Sequence, residues 1–516
     1  MRNPQRPIRR GQVSQTITVP APVAGWNARD SIADMKPTDA VRLDNLYCTP
    51  YDVFLRSGYS NYATGMTGTI NSLMSYSPPT GTAKLFAAVG ANVYDVTAGG
   101  VVGAAAISTR TSDKWQHVNF GTAGGNFLIM VNGSDKLQGY TGAAWWRDGD
   151  GTHDITGKDS ATFIHVCVHK SRIWFVEKES LSVWYLGALS IAGAATEIDF
   201  SGLFAKGGYL MAMGSWSLDS GTGIDDYAAF ITSEGQVAVY SGADPASSTT
   251  WALIGVFDLG APIGRRCVMK LGGDLAIICR DGLAPLSKSL LTLVSGTDKL
   301  TDKIQAVVQG YATDYGSLFG WETALFPAQN MLLLNVPTSA TSSVQCVQNL
   351  VHGAWSRFTG WNAACWELHQ GNIYFGSDGV VCKAWDTQAD NGVNIQFEAQ
   401  QAFSRFGGNS AQLHRVQMVR AIVATDGSPG IAIGVNANYD LSSPTSMPSF
   451  SPTSSGLWDS ALWDSGLWGG DPQIRNDWQT AFALGHSFAA HVIGSSRGIQ
   501  LRWSGTDYLV ERGGVV

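Results

Sequence analysis

Charged residues are scarce in this chain of 516 residues: Asp, Glu, Lys and Arg make up 15% of it, where an ordinary domain carries about 25%. A chain so poor in charge hides much of its surface, in sheets, in an assembly, or in both. Cysteine is sparse too. Seven are present (Cys48, Cys167, Cys267, Cys279, Cys346, Cys365 and Cys382), an odd number with no CxxC pair. That pattern favours free, buried thiols made in a reducing cytoplasm over disulfides or metal ligation. No apolar run approaches the roughly 18 to 20 residues that a membrane helix requires, and the Arg-rich N-terminus is not followed by the apolar core of a signal peptide. The expectation is a protein with no membrane segment that is not exported by a signal peptide. Helical periodicity is almost missing; residues 301–310 (TDKIQAVVQG) are the best candidate, with Thr301 as N-cap.

Catalytic signatures are likewise lacking. There is no G-x-S-x-G elbow, H-E-x-x-H, Walker lysine loop, G-x-G-x-x-G or S-x-D-x-G-x-x-W Asp-box. His165 and His169 are four apart, but TFIHVCVHKSRIWF reads as strand, where that spacing puts two side chains on one face about 13 Å apart, too far to share a metal. Asp225 and Asp226 adjoin in a strand-like run and would point to opposite faces. The chain is therefore expected not to be an enzyme and to take no metal or cofactor.

What is abundant is a repeated hairpin phrase: a β-rich run, a turn bearing Gly, then a second run that often ends in an aromatic residue and Gly. Residues 228–242 (AAFITSEGQVAVYSG), 274–286 (DLAIICRDGLAPL) and 372–385 (NIYFGSDGVVCKAW) are plain copies, and looser ones lie at 84–96, 126–142, 171–187 and 329–349. Copies of one antiparallel unit, none able to bury its own apolar face, are the signature of a β-propeller; their spacing of roughly 40 to 50 residues predicts about six or seven blades. The 60 Gly and 18 Trp, with so little charge, suit large contacts between subunits. After residue 386 the texture changes to longer strands at 393–403, 415–424 and 430–438, separated by GGNS and DGSPG turns, as in a β-sandwich or small barrel. The fold class expected is all-β, a propeller with an added β-sandwich or barrel-like domain.

The divisions read from these shifts are a disordered basic arm at 1–20, a docking or strap segment at 21–68, a propeller at 69–386, a sandwich-like platform at 387–450, a Trp-repeat loop at 451–480, and C-terminal strands at 481–516 that complete the platform or the propeller. The arm holds Arg2, Arg6, Arg9 and Arg10 without an acidic residue. It reads either as a solvated tail or as a segment that orders on a partner or on DNA phosphates. The net charge of −7 otherwise argues against a surface that grips nucleic acid. In the 21–68 segment Trp26 and Asn27 are candidate anchors, with Arg29, Asp30 and Arg56 as ion-pair partners, and Pro37 is placed to start a short helical turn. Trp458, Trp463 and Trp468 recur every five residues in GLWDSALWDSGLWGG, a period that fits neither one helix face nor strand alternation. Two uses are open for them: packing into a neighbouring domain or subunit, and stacking on sugars or bases.

The phrase at residues 21–60, with its GWNARD core, its DAVRLDN step and its LRSGY close, resembles the N-terminal segment of tail proteins of phages and prophages. GGDLAIICRDGLAPLS at 272–287 and GTDYLVERGGVV at 505–516 are similar to the same group. A propeller plus β-domains in one chain resembles the tail nozzle or hub proteins of short-tailed bacteriophages. The resemblance implies a structural virion protein made in the host cytoplasm. It would form a homo-hexameric ring below the portal, contact the tail adaptor above and fibre or spike proteins alongside or below, hold packaged genomic DNA, and conduct it without sequence preference during ejection. It implies no catalytic residues. A receptor- or carbohydrate-binding propeller of the tail is the alternative reading.

Overall fold

In a computed structural model of the protein, which describes residues 14–219, 224–291, 299–407, 412–443, 445–450 and 472–515, each of the seven hairpin phrases becomes the second and third strands of one propeller blade. Blade 1 is Ile70–Tyr76, Lys84–Val89 and Asn92–Asp95; blade 2 is Gln116–Thr122, Gly125–Val131, Gln138–Tyr140 and Trp145–Arg147. Blade 3 is Phe163–His169, Arg172–Glu177, Ser182–Tyr185 and Thr196–Asp199, and blade 4 is Leu210–Asp219, Ile224–Thr232, Gln236–Ser241 and Ala252–Asp258. Blades 5 and 6 contribute Val268–Leu271, Asp274–Cys279 and Gly282–Pro285, then Glu322–Phe326, Met331–Pro337 and Ser343–Asn349. Blade 7 is Cys365–His369, Asn372–Gly376 and Val381–Ala384, and its outer strand is Tyr59–Thr64 from the other end of the unit, antiparallel in the register Tyr59↔Ala384 and Ala63↔Val381. The first strand of each blade packs beside the first strand of the next, and that of blade 7 packs beside that of blade 1, so the seven form a closed ring.

The near-continuous apolar runs follow from this arrangement, because a blade is buried on both faces and successive residues of a strand point to opposite ones. In blade 2, Ile129 and Val131 join Phe163, Ile173 and Phe175 in a core shared with blade 3. Their neighbours Leu128 and Met130 join Met74, Phe86 and Trp115 in the core shared with blade 1. Blade 4 divides its residues the same way, Ala228 and Phe230 facing blade 3 while Ala229, Ile231, Val237 and Val239 face blade 5. Each such large side chain contributes about 1.5–3 kcal/mol of burial, which is why the propeller's cohesion lies between blades rather than within them.

The contact pattern separates residues 58–353 and 358–387, the propeller unit, from a second unit of residues 1–57, 354–357 and 388–516. The second unit is a pair of facing sheets. One has Leu501–Val515 at its centre, flanked by Gln412–Thr425 on one side and by Gln15–Pro20 and Val53–Leu55 on the other; Leu46–Cys48 extends it beyond Val53–Leu55, and Gln473–Arg475 and Gln479–Gly485 pair with Gln412–Thr425. The other runs Asp39–Asp44, Ile395–Gln401, Phe488–Ser496, Gly430–Ala437. Phe406 fills the space between them, stacked on Phe488 at 5.3 Å and against Tyr508 at 5.0 Å, and the Tyr508 hydroxyl donates to Gln401 Oε1 at 3.2 Å.

Four local expectations are corrected. Residues 15–20 form a strand rather than part of a disordered arm: QTITVP is a β-branched alternation that pairs with Leu501–Val515, buries Val19, and donates from Thr18 Oγ1 to Asp507 at 2.6 Å. Pro37 opens a single hydrogen-bonded turn, the Asp39 N–H donating to the Lys36 carbonyl at 2.9 Å, and no helix follows, because the chain passes at once into the strand Asp39–Asp44. Thr301 does not cap the helix, which spans Gln305–Tyr315 after a short 3-10 turn at Asp302–Ile304; the Thr301 hydroxyl instead accepts the Leu283 N–H at 3.0 Å. The end of the segment expected as a Trp-repeat loop, 473–475 and 479–480, is also strand. Trp458, Trp463, Trp468 and Arg2, Arg6, Arg9 and Arg10 lie outside the described residues.

Candidate functional site

In the propeller, polar residues on or beside the innermost strands of blades 2, 5, 6 and 7 meet: Arg266, Glu322, Glu367 and His117. Arg266, just ahead of blade 5, donates from Nη1 to Glu322 Oε2 of blade 6 at 2.8 Å. Its Nη2 donates to the Asn71 carbonyl at 2.9 Å, to Ser72 Oγ at 2.7 Å and to the Trp115 carbonyl at 3.0 Å. One guanidinium therefore ties blades 1, 5 and 6 to the entry of blade 2. The other oxygen of Glu322 accepts the Trp366 N–H. Beside this pair, Glu367 of blade 7 lies 3.6 Å from His117 Nε2 of blade 2. Burial, reinforced by the charge of Glu322, pushes the Glu367 carboxyl up to about 8. Burial and the neighbouring Arg266 push His117 down to about 4. Glu322 is raised by its burial, against the pull of Arg266.

His165 and His169 occupy the inner strand of blade 3, as the sequence predicts, and are held separately. His165 Nδ1 pairs with Gln116 Oε1 at 2.8 Å and Nε2 with the Met213 carbonyl at 2.9 Å, while His169 Nδ1 meets Ser215 Oγ at 2.9 Å. Burial takes each imidazole down to about 4. Asp226 accepts from Ser217 and pairs with Lys170 at 3.2 Å. Among the described residues no group of three or more His, Cys, Asp or Glu is arranged to hold a metal, and all seven cysteines are free, six of them buried.

These groups set a pH profile. Between pH 4.5 and about 8 the folded chain keeps on Glu367 a proton that the unfolded chain has released, so this residue makes stability fall as pH rises through that window. The histidines act in the other sense: from pH 6.5 down to about 4 the unfolded chain binds protons that the folded one refuses, and stability falls with acid. Glu367→Gln is expected to weaken the alkaline decline, leaving the share of Glu322, and to leave the acid limb in place. Unfolding free energies from urea titrations at pH 5, 6.5 and 8 check this, and an unchanged difference between pH 5 and pH 8 would refute it.

The candidate anchors of the N-terminal phrase are built into the second unit. Gly25 adopts φ +83°, and a side chain there would come within 2.6 Å of the Trp355 carbonyl oxygen, so glycine is required before Trp26. Trp26 is 7% exposed, with the Arg357 guanidinium 5.6 Å from its ring centroid. Asn27 is buried: its oxygen accepts the N–H groups of Arg29 and Asp30, and its amide donates to Asp30 and Asp39. Arg56 is 0% exposed and grips Asp390 with both terminal nitrogens at 2.8 and 2.7 Å, while its Nε donates to Asn45 at 2.9 Å. Only the Arg29–Asp30 pair, 2.7 Å apart, stands at the surface.

Sequence reasoning did not single out three exposed apolar side chains on the same unit. Phe482 and Leu484, alternate residues of the strand Gln479–Gly485, are 77% and 60% exposed, and Ile474 on the adjacent short strand is 71% exposed. Arg415 lies over the Phe482 ring at 5.9 Å.

No helix among the described residues is long and apolar enough to cross a membrane, which leaves β-barrels untouched. No protein-family model matches the chain, and no curated protein matches it. Among solved structures it is similar to BBS1N in complex with ARL6DN, at 10% identity and a TM-score of 0.39 over 64% of this chain and 97% of that one. It is also similar to Raptor from Chaetomium thermophilum, at 11% identity and a TM-score of 0.40 over 64% of this chain and 29% of that one. At such identity these likenesses concern the β-propeller fold alone.

Proposed function

We propose that this chain is a structural, non-enzymatic virion protein, the tail nozzle or hub of a short-tailed bacteriophage. Six copies form a ring that extends the portal and adaptor channel, retains packaged DNA and conducts it at ejection. The observation that carries the reading is the exposure of Ile474, Phe482 and Leu484 on the two strands that edge one sheet. Apolar side chains on a sheet edge invite pairing and are ordinarily covered, so they suit a protein that works as part of an assembly. A net charge of −7 per chain supports a lumen that repels DNA and lets it slide.

The experiment is to determine the mass of the purified protein by light scattering, alone and with the double substitution Phe482→Lys, Leu484→Lys, alongside a reconstruction of the tail of the particle that carries it. A ring of six around a DNA-sized channel, lost in the double variant, is the expected result. A monomer in solution with peripheral copies in the particle would overturn it.

A further inference from the structure

A cavity of about 280 Å³ opens in the propeller where the chain enters the inner strands of blades 1, 2, 6 and 7. Its floor is apolar, made of Leu318, Phe319, Pro337, Ala363 and Ala364. Its rim is polar. Arg266, Glu322 and Ser72 each have partners within the chain. By contrast, the Asp378 carboxylate, the Asn362 amide, the Thr69 hydroxyl and the Lys114 ammonium, all facing this one cavity, have no hydrogen bond or ion pair to another described residue; Lys114 only rests 4.6 Å from the Phe319 centroid.

The chemistry of that rim selects a ligand. Asp378 can only accept hydrogen bonds and Lys114 can only donate them, whereas Asn362 and Thr69 do both. A ligand matching all four around an apolar floor needs neighbouring groups that each donate and accept, above a face of C–H bonds. We propose that the cavity binds a saccharide, with the C–H face of one pyranose ring on Pro337, Ala363 and Phe319 and its vicinal hydroxyls shared among Asp378, Asn362 and Lys114. The volume, a little below that of a pocket for a drug-sized ligand, admits one sugar residue or the end of a chain. Opposite charges at the rim disfavour a ligand carrying a single net charge.

The proposal concerns a single chain and does not depend on ring formation. Saturation-transfer NMR and calorimetry on the full-length protein would use D-glucose, D-galactose, N-acetyl-D-glucosamine and β-1,4-linked disaccharides as probes, with acetate and methylammonium as singly charged controls. Transfer to at least one sugar and not to the controls is expected. Asp378→Ala and Asn362→Ala, both at exposed positions, should each weaken it by about tenfold or more, the loss of a charge-assisted or bifurcated contact, while Asp314→Ala on the exposed helix leaves it unchanged. Absence of transfer to every sugar, or transfer that survives Asp378→Ala and Lys114→Gln alike, overturns the proposal. Monomers that still bind would fault the ring and leave this site standing.

Discussion

Arg266→Ala is expected to lower the unfolding free energy by about 3–5 kcal/mol, the cost typical of removing one partner from a buried ion pair. The side chain is 16% exposed and its partner Glu322 is 7% exposed, so water can replace little of what is lost. The substitution strands a carboxylate among Trp366, Cys365 and Glu367 and leaves the carbonyls of Asn71 and Trp115 without the donor that bridges them. Lysine should recover only part of the loss, because one ammonium cannot reach a carboxylate, a hydroxyl and two carbonyls in the directions a planar guanidinium serves. The double substitution Arg266→Met, Glu322→Gln removes the charge from both sides and should be milder than Arg266→Ala. Guanidinium denaturation of the three variants measures the effect. A loss below about 1 kcal/mol for Arg266→Ala would put the pair in the class of exposed ion pairs and deny it this role.

The second large effect is expected at Arg56. It is wholly buried, its fork meets Asp390 at two points, Asn45 takes its Nε–H, and the Ser57 carbonyl accepts from Nη1 at 3.0 Å. These hydrogen bonds from one side chain gather residues as far apart in sequence as Asn45 and Asp390. Arg56→Ala should cost about 3–5 kcal/mol, and Asp390→Asn less, since an amide still accepts one hydrogen bond. A cycle of Arg56→Ala, Asp390→Ala and the double variant isolates the coupling between the two residues. Strict additivity of the single losses would show that they act independently and remove the basis for the prediction.

The two arginines were unequally legible. Arg56 stands in a phrase, LRSGYS, distinctive enough to be singled out, although its partner Asp390 was not. Arg266 lies in APIGRRCVM with nothing local to distinguish it, and what it meets, Asn71 and Ser72 of blade 1, the Trp115 carbonyl ahead of blade 2 and Glu322 of blade 6, is scattered along the chain. Only closure of the ring brings them together. The middle hairpins were readable because strands buried on both faces become continuous apolar runs interrupted by a turn, as in AAFITSEGQVAVYSG. Outer strands were not, since Thr196–Asp199 is mostly exposed and carries no apolar pattern. The strand Gln15–Pro20 was read as tail because its partner lies at the far end of the chain, where Ile17 pairs with Tyr508. The exposed strip at Phe482 and Leu484 was hidden by alternation itself: apolar residues two apart look like a core-facing side, and the sequence does not say which face is covered.

The pairing of Tyr59–Thr64 with Val381–Ala384 also sets a timetable. Asn61 and its register partner Cys382 are separated by 321 positions, so at roughly 5–20 residues per second the earlier strand waits some tens of seconds on the ribosome before its mate is made. During that interval blade 7 is an open seam, and neighbouring ribosomes on one message carry the same seam at different stages of completion. A strand that finds the mate of another nascent chain produces an exchanged pair with every native contact intact. High local synthesis, as in a cell filling with identical copies, therefore favours swapped dimers as an assembly by-product, and slower translation between residues 64 and 381 would be expected to increase them.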